Sequence, residues 1–185
     1  MYPRLYAKKV SPGEWYPGYI QMYVERDVRL VKNIGDLSAF DRFLKLCAGR
    51  TACLLNLSSL AQDCGITHNT AKSWLSILET SYIIFLLQPH HENFNKRLVK
   101  NPKIYFYDTG LACHLLGIRT TQELLFHPMR GALFETLIIS EFFKCHYNVA
   151  ETPRLYYWKD VQSHEVDCIM EKSFGHPFPI EIKLA

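Results

Sequence analysis

The sequence has 185 residues, 48% of them hydrophobic and 21% charged, with a formal net charge of +3. This is ordinary globular usage for one large domain or two small ones, with enough apolar matter to bury a core, and it excludes a disordered chain. So small a positive excess also excludes a generally polybasic nucleic-acid binder, and any basic footprint must come from local clustering. The cysteines (Cys47, Cys53, Cys64, Cys113, Cys145 and Cys168) are scattered, with no CxxC pair and no cysteine–histidine spacing for zinc. Most sit in apolar runs and read as reduced small hydrophobes of a cytoplasmic protein. No signal peptide opens the sequence and no apolar run is long enough to span a bilayer, so no membrane partner is expected. There is no GxxxxGK[ST] loop, so P-loop hydrolysis of a nucleotide is not expected of this chain.

In chain order, Ser11, Pro12 and Glu14 have the spacing of a capping box, but Pro17 and Gly18 shift the expected start of a continuous helix to about Tyr19. Ile20, Tyr23, Val24, Asp27, Val28 and Val31 make that helix amphipathic, carrying Tyr19, Arg26 and Asp27. A second capped helix is expected over Leu37–Ala48, with Phe40, Phe43, Leu44 and Cys47 on one stripe. NLSSLAQDCGITHNTAKSWLSILE, residues 56–79, has the helix-turn-helix pattern: Ser58 caps, Gly65 turns left-handed, and Thr67 caps a second helix running to about Glu79. Leu57, Leu60, Ala61, Ile66, Ala71, Trp74, Leu75 and Leu78 are its expected core. His68, Asn69, Lys72, Ser73 and Ser76 fall on the outer side of the second helix, where they suit phosphates and base edges.

A strand over Tyr82–Gln88, a polar loop, and a strand over Lys103–Tyr107 then complete a wing. The loop carries Lys96, Arg97, Lys100 and Lys103 with His90, His91, Asn93 and Asn95, a basic cluster that the total charge hides. His90 and His91 read as solvated residues rather than a metal pair. Winged helices serve as both DNA-binding and protein-binding modules, so the pattern leaves both open. YDTGLACHLLGIR reads as a turn and short helix, capped by Asp108 or Thr109 and stopped by Gly117; TTQELLFHPMR reads as a polar linker. From about Gly131 to Cys145 comes a helix apolar nearly all round, hence expected to be buried, in which Glu135 must be paired, ligated or turned toward an opening.

Three strand candidates follow: RLYYWKD, EVDCIME and PIEIKLA. Strict alternation puts Val166, Cys168 and Met170 on one face and Glu165, Asp167, Ile169 and Glu171 on the other. Glu181 and Lys183 point together, opposite Ile180, Ile182 and Leu184. If the last two strands pair, Asp167 lies next to Glu181, with Lys183 about 7 Å along the same face. Two such carboxylates favour a divalent cation between them, Mg²⁺ or Mn²⁺, with Lys183 orienting an attacking water and Glu135 holding a metal-bound water or a second ion. Surface hairpins also place charges in this way. The acid in the preceding apolar helix and the helix-strand-strand-strand order add weight to the site.

Taken together, YPRLYAKKVSPGEWYPGYIQMYVERDV, LLNLSSLAQDCGITHNTAKSWLSILE, KIYFYDTGLACHLLG, RGALFETLIISEF and HEVDCIME with PIEIK resemble the C-terminal half of a family of bacterial and archaeal AAA+ superfamily ATPases. In that family a P-loop domain precedes a domain of unknown function, built as a winged helix joined to a restriction-endonuclease-like PD-(D/E)xK fold. The resemblance implies an α+β chain: residues 1–35 a helical linker that would follow the ATPase domain, 36–120 a winged helix-turn-helix domain, and 121–185 a partial nuclease-like α/β domain. Tyr23, Arg26 and Asp27 match the family's YxxRD segment. Glu135, Asp167 and Glu181 match its acids and Lys183 its basic residue. The ATPase domain is not in this sequence. The Glu-x-Lys strand is its last element, where a nuclease-like core continues, so a fragment is expected, with an unpaired sheet edge open to self-association. The implied partners are DNA, and the missing ATPase domain or another protein. The competing reading is a non-catalytic interaction module whose acids are structural; a sequence-specific regulator would need a dimer spaced for two half-sites, and the sequence carries no zipper or effector pocket.

Overall fold

The computed structural model describes residues 2–8, 10–23, 36–90, 101–160, 162, 164–171 and 176–184. The chain is α+β, with helices set around two small antiparallel sheets. Two helices open it, α1 (Pro3–Lys8) and α2 (Pro12–Met22). Ser11 is the N-cap of α2, but only its carbonyl works there, accepting from the N–H groups of Glu14 and Trp15 at 3.1 and 3.0 Å. The helix therefore starts earlier than Pro17 implied and carries that proline inside it. An interior proline costs about 3 kcal/mol, offset here by burial of Tyr16 and by the stack of Trp15 on Tyr19, centroids 4.8 Å apart. Arg26 and Asp27 lie outside the described residues.

The expected helix α3 (Leu37–Ala48) forms with Asp36 as its cap and buries Phe40, Phe43, Leu44 and Cys47. Strand β1 (Cys53–Leu54) leads to α4 (Leu57–Cys64) and α5 (His68–Thr80). Asn56, not Ser58, caps α4: its side chain accepts from the Ser59 N–H at 3.0 Å, and the helix begins at Leu57, two residues sooner than a Ser58 cap would allow. Gly65 takes φ 74° between the two helices, and the Thr67 side chain accepts from the Thr70 N–H. Trp74 sets its edge against Phe40 and Phe43, centroids 5.2 and 5.5 Å away, which locks α5 to α3.

Strands β2 (Ile84–Leu87) and β3 (Lys103–Phe106) pair antiparallel, and β1 joins on the far side of β3, giving the order β1-β3-β2. Strands β2 and β3 are buried on both faces, which accounts for the unbroken apolar run of β2. Ile84, Ile104 and Phe106 belong to the core of the helical part, while Phe85, Leu87 and Tyr105 belong to a second core with Ile139, Leu155, Tyr157 and Cys168. Strands β2 and β3 are thus the common wall of both cores.

Asp108 caps α6 (Thr109–Leu115), accepting from the Leu111 N–H at 2.8 Å, and accepts the buried Tyr16 hydroxyl at 2.6 Å on the same oxygen. Gly110 allows this closure: a Cβ there would stand 2.1 Å from the Tyr16 hydroxyl oxygen. The stretch read as a linker contains a helix, α7 (Thr121–Phe126), because Thr120 accepts from the Glu123 N–H and caps it. Helix α8 (Arg130–Asn148) follows. It is not buried all round. Leu133, Thr136, Ile139 and Ser140 form the buried face, while Leu137 and Tyr147 are exposed, because only one side meets the common sheet and α6. Its end is a Schellman motif, Glu151 N–H to His146 O and Ala150 N–H to Tyr147 O, both at 3.0 Å, with Ala150 at φ 57° where glycine is favoured. Since Ala150 is exposed, Ala150→Gly loses no packing and is expected to stabilise the chain by about 1 kcal/mol, read as a melting temperature higher by roughly 2–4 °C.

The second sheet has the order β4 (Leu155–Lys159), β5 (Glu165–Glu171), β6 (Pro177–Ile180). Between Tyr156↔Ile169 and Trp158↔Val166 the register slips, so that Asp167 and Cys168 together oppose Tyr157. This one-residue bulge overturns strict alternation in β5. In the β5–β6 pair, Cys168 faces Ile180 and Ile169 faces Pro179, the expected antiparallel pairing.

Candidate functional site

Two groups of side chains merit attention. The first is the outer face of α5. Its inner face is closed by Ala71, Trp74, Leu75, Ile77 and Leu78, which fixes what faces outward: exposed His68, Asn69 and Lys72, half-buried Ser73 and exposed Ser76. All five lie where helical periodicity placed them. Of the loop cations, Lys96, Arg97 and Lys100 lie outside the described residues. Lys103, counted with them from sequence, is only 3% exposed and belongs to the other group. His90 is likewise no free loop residue: its Nε2 lies 2.9 Å from Glu171 Oε1 and its backbone N–H donates to Tyr157 O.

The second group surrounds Glu135. Its Oε1 accepts from the Tyr105 hydroxyl at 2.5 Å and from Lys103 Nζ at 3.2 Å. Lys103 also pairs with Glu165, whose other oxygen takes Lys159 at 2.7 Å. The β5 bulge explains Glu165: past the extra residue its side chain returns to the side of Cys168 and reaches Lys103. Burial pushes the Glu135 carboxyl above the usual glutamate range, more than Lys103 and Tyr105 lower it, and Asp167 pushes it the same way. Burial also acts on Glu165, but Lys103 and Lys159 prevail and hold it below that range. For Lys103 burial works downward, yet the two carboxylates keep its ammonium raised.

Of the four residues singled out for metal chemistry, Asp167 lies near enough to Glu135 to raise its carboxyl, while Glu181 and Lys183 stand apart and exposed. Glu135 is committed to Lys103 and Tyr105. Asp167 uses Oδ2 to accept the backbone N–H of Ile182 at 2.8 Å. Glu181 and Lys183 lie just beyond β6, 3.9 Å apart, with side chains 51% and 81% exposed, while Ile180 and Ile182 turn in against the second core. Among the described residues no three His, Cys, Asp or Glu side chains are disposed to hold a metal ion. The residues present therefore do not fit a Mg²⁺ or Mn²⁺ centre, and no chemical step is derived through one. Lys103, Tyr105 and Glu165 went unnoticed as a set. The available signal was the alternation in KIYF, which sends a lysine and a tyrosine to the face opposite Ile104 and Phe106.

The fold and these two groups define a mixed α+β protein: a helix-turn-helix layered on one sheet, with a second sheet and a long helix behind it. The chain belongs to the family described as "Domain of unknown function (DUF8612)", whose model matches residues 1–122. Residues 130–185 match a second family model, "Domain of unknown function (DUF4143)". Uncharacterized protein Mb2031c of Mycobacterium bovis and Uncharacterized protein Rv2008c of Mycobacterium tuberculosis are each 32% identical over 169 residues, 91% of this chain and 37% of theirs. The chain thus spans well under half the length of these curated relatives. No solved structure matches it. Among the described residues no helix is long and apolar enough to cross a membrane.

Proposed function

We propose that this chain is a winged-helix module that contacts DNA and serves a longer ATPase of the AAA+ superfamily. The observation that carries the reading is the outer face of α5, where His68, Asn69, Lys72 and Ser76 stand exposed on a helix held rigid by its buried side. A helix of this kind presents short polar donors and one cation to phosphates and base edges. The β2–β3 pair beside it supplies the hairpin, whose connection carries Lys96, Arg97 and Lys100 in the sequence. The ATPase half of the reading draws support from the ordered residue pattern and from the family match at 130–185. The proposed function includes no nuclease step: among the described residues Glu135 is engaged by Lys103 and Tyr105, and Glu181 and Lys183 are exposed beyond β6.

The test is fluorescence anisotropy of a labelled duplex at salt concentrations from 50 to 200 mM. Affinity is expected to fall steeply with salt, and Lys72→Ala to weaken it several-fold while reducing the slope of log affinity against log salt by about one. Affinity insensitive to salt and to Lys72→Ala would overturn the reading and favour the non-catalytic protein-interaction module.

A further inference from the structure

A cleft of about 460 Å³ opens where the end of α5, the outer ends of β2 and β3, and the last turns of α8 meet. Its walls are aromatic: Tyr82 and Tyr147 are 67% and 46% exposed, Tyr107 and Phe143 are half-buried, and Phe85 forms the floor. Tyr107 and Phe143 rest on Phe85, centroids 4.7 and 4.3 Å away, and the rings meet inclined or edge to face rather than in parallel stacks. Tyr107 and Phe143 stand at 90° with centroids 6.5 Å apart, Tyr82 is inclined 54° to Tyr107, and Tyr147 is inclined 53° to Phe143. Rings so inclined leave the outer faces of Tyr82 and Tyr147 turned to the cleft and to solvent. Tyr82 is held there at φ 56°, in a turn whose left-handed residue is ordinarily glycine or asparagine. The chain keeps a bulky exposed ring at a position where the backbone disfavours one, a form of strain that gathers at functional sites.

The charge is one-sided. Glu79 stands at the rim, and among the described residues its carboxylate has no hydrogen bond or ion pair; no lysine or arginine lines the cleft. Ring faces and a carboxylate attract a cation and repel phosphate, which separates this cleft from the outer face of α5. The Tyr107 and Tyr147 hydroxyl oxygens lie 3.5 Å apart, a contact loose enough to open and accept other donors. A quaternary ammonium has no N–H with which to use those oxygens. An ammonium is compact and strongly hydrated, whereas a guanidinium is planar, stacks on rings and presents several donors in a fork.

We infer that this cleft binds the guanidinium of an arginine side chain on a protein partner, over the exposed ring faces of Tyr82 and Tyr147, beside Tyr107 and Phe143, and against the carboxylate of Glu79. Crowding by its surroundings, which raises the Glu79 carboxyl above the usual range, is relieved by such a cation. The inference does not depend on DNA contact through α5.

The experiment is an NMR titration of the full chain, following tyrosine ring signals, with N-acetyl-arginine amide as probe and N-acetyl-lysine amide and tetramethylammonium as comparisons. A saturable shift is expected with the arginine probe at roughly millimolar affinity, as for one desolvated cation–ring contact plus a carboxylate pair. Glu79→Gln, a near-isosteric change on an exposed helix end, is expected to weaken binding about tenfold, and Tyr147→Leu likewise, with circular dichroism unchanged. No saturable shift in the parent chain overturns the inference, as does unchanged affinity in Glu79→Gln. Tetramethylammonium or the lysine probe binding as tightly as the arginine probe overturns the assignment to arginine.

Discussion

Lys103→Met is expected to destabilise the chain by about 3 kcal/mol at pH 7, the low end of the range for breaking a buried ion pair by removing one partner. The low end applies because Glu165 keeps Lys159 at 2.7 Å and because the two carboxylates are partly exposed, at 16% and 26%. The pH dependence makes the expectation specific. In the parent chain Glu165 is held low, so its contribution is present above the ordinary glutamate range and is lost as pH falls through the depressed value. Glu135 is held high, so its contribution is present below that range and is lost as pH rises through the raised value. Without Lys103, Glu135 rises further and Glu165 loses much of what held it down. The deficit of the variant should then grow with pH, larger at pH 7 than at pH 5. Urea unfolding at the two pH values measures it. A deficit equal at both would mean that lost packing of the lysine stem, not its charge, is what matters. Glu135→Gln, which keeps shape and the Tyr105 contact, should cost clearly less than Lys103→Met.

Asp108→Ala is expected to cost about 2–4 kcal/mol, from two separable parts. Loss of the α6 cap accounts for roughly 1 kcal/mol. The rest comes from leaving the Tyr16 hydroxyl buried without its acceptor, about 1–3 kcal/mol. Tyr16 is 3% exposed, so its hydroxyl has no easy route to water. The double variant Asp108→Ala with Tyr16→Phe should therefore be more stable than Asp108→Ala alone. Chemical denaturation of the three variants measures the coupling. If the two changes simply add, the Tyr16–Asp108 hydrogen bond contributes nothing to the seating of α2 on α6.

Much of the first half of the fold is legible in the sequence because its signals are local. The stripe Phe40, Phe43, Leu44, Cys47 marks α3; Gly65 and Thr67 mark the turn and cap between α4 and α5; Asp108 and Gly117 bracket α6. The misreadings share one cause, long-range contact. Pro17 sits inside a helix because Tyr16 reaches Asp108, 92 residues away. Helix α8 looked buried all round because its apolar letters do not reveal that the sheet covers a single side. In the site, Glu135 was correctly marked as needing a partner, but that partner comes from β3, and the second acid on Lys103 is brought round by an extra residue in β5. A bulge has no sequence signature here, so strict alternation assigned Glu165 to the opposite face from Cys168.

The register of the second sheet has one more consequence. Glu171 gives its N–H to Arg154, on the β4 side, so Cys168 and Met170 turn theirs toward β6 and meet Ile180 and Phe178. Pro177 and Pro179 then occupy the alternate positions, whose amides would point away from the sheet, and proline has no amide hydrogen to offer. From 177 to 180 the rim of the molecule can receive hydrogen bonds but cannot give them. A strand approaching there finds half a ladder. Copies of this chain laid rim to rim along that stretch would bury carbonyls against carbonyls.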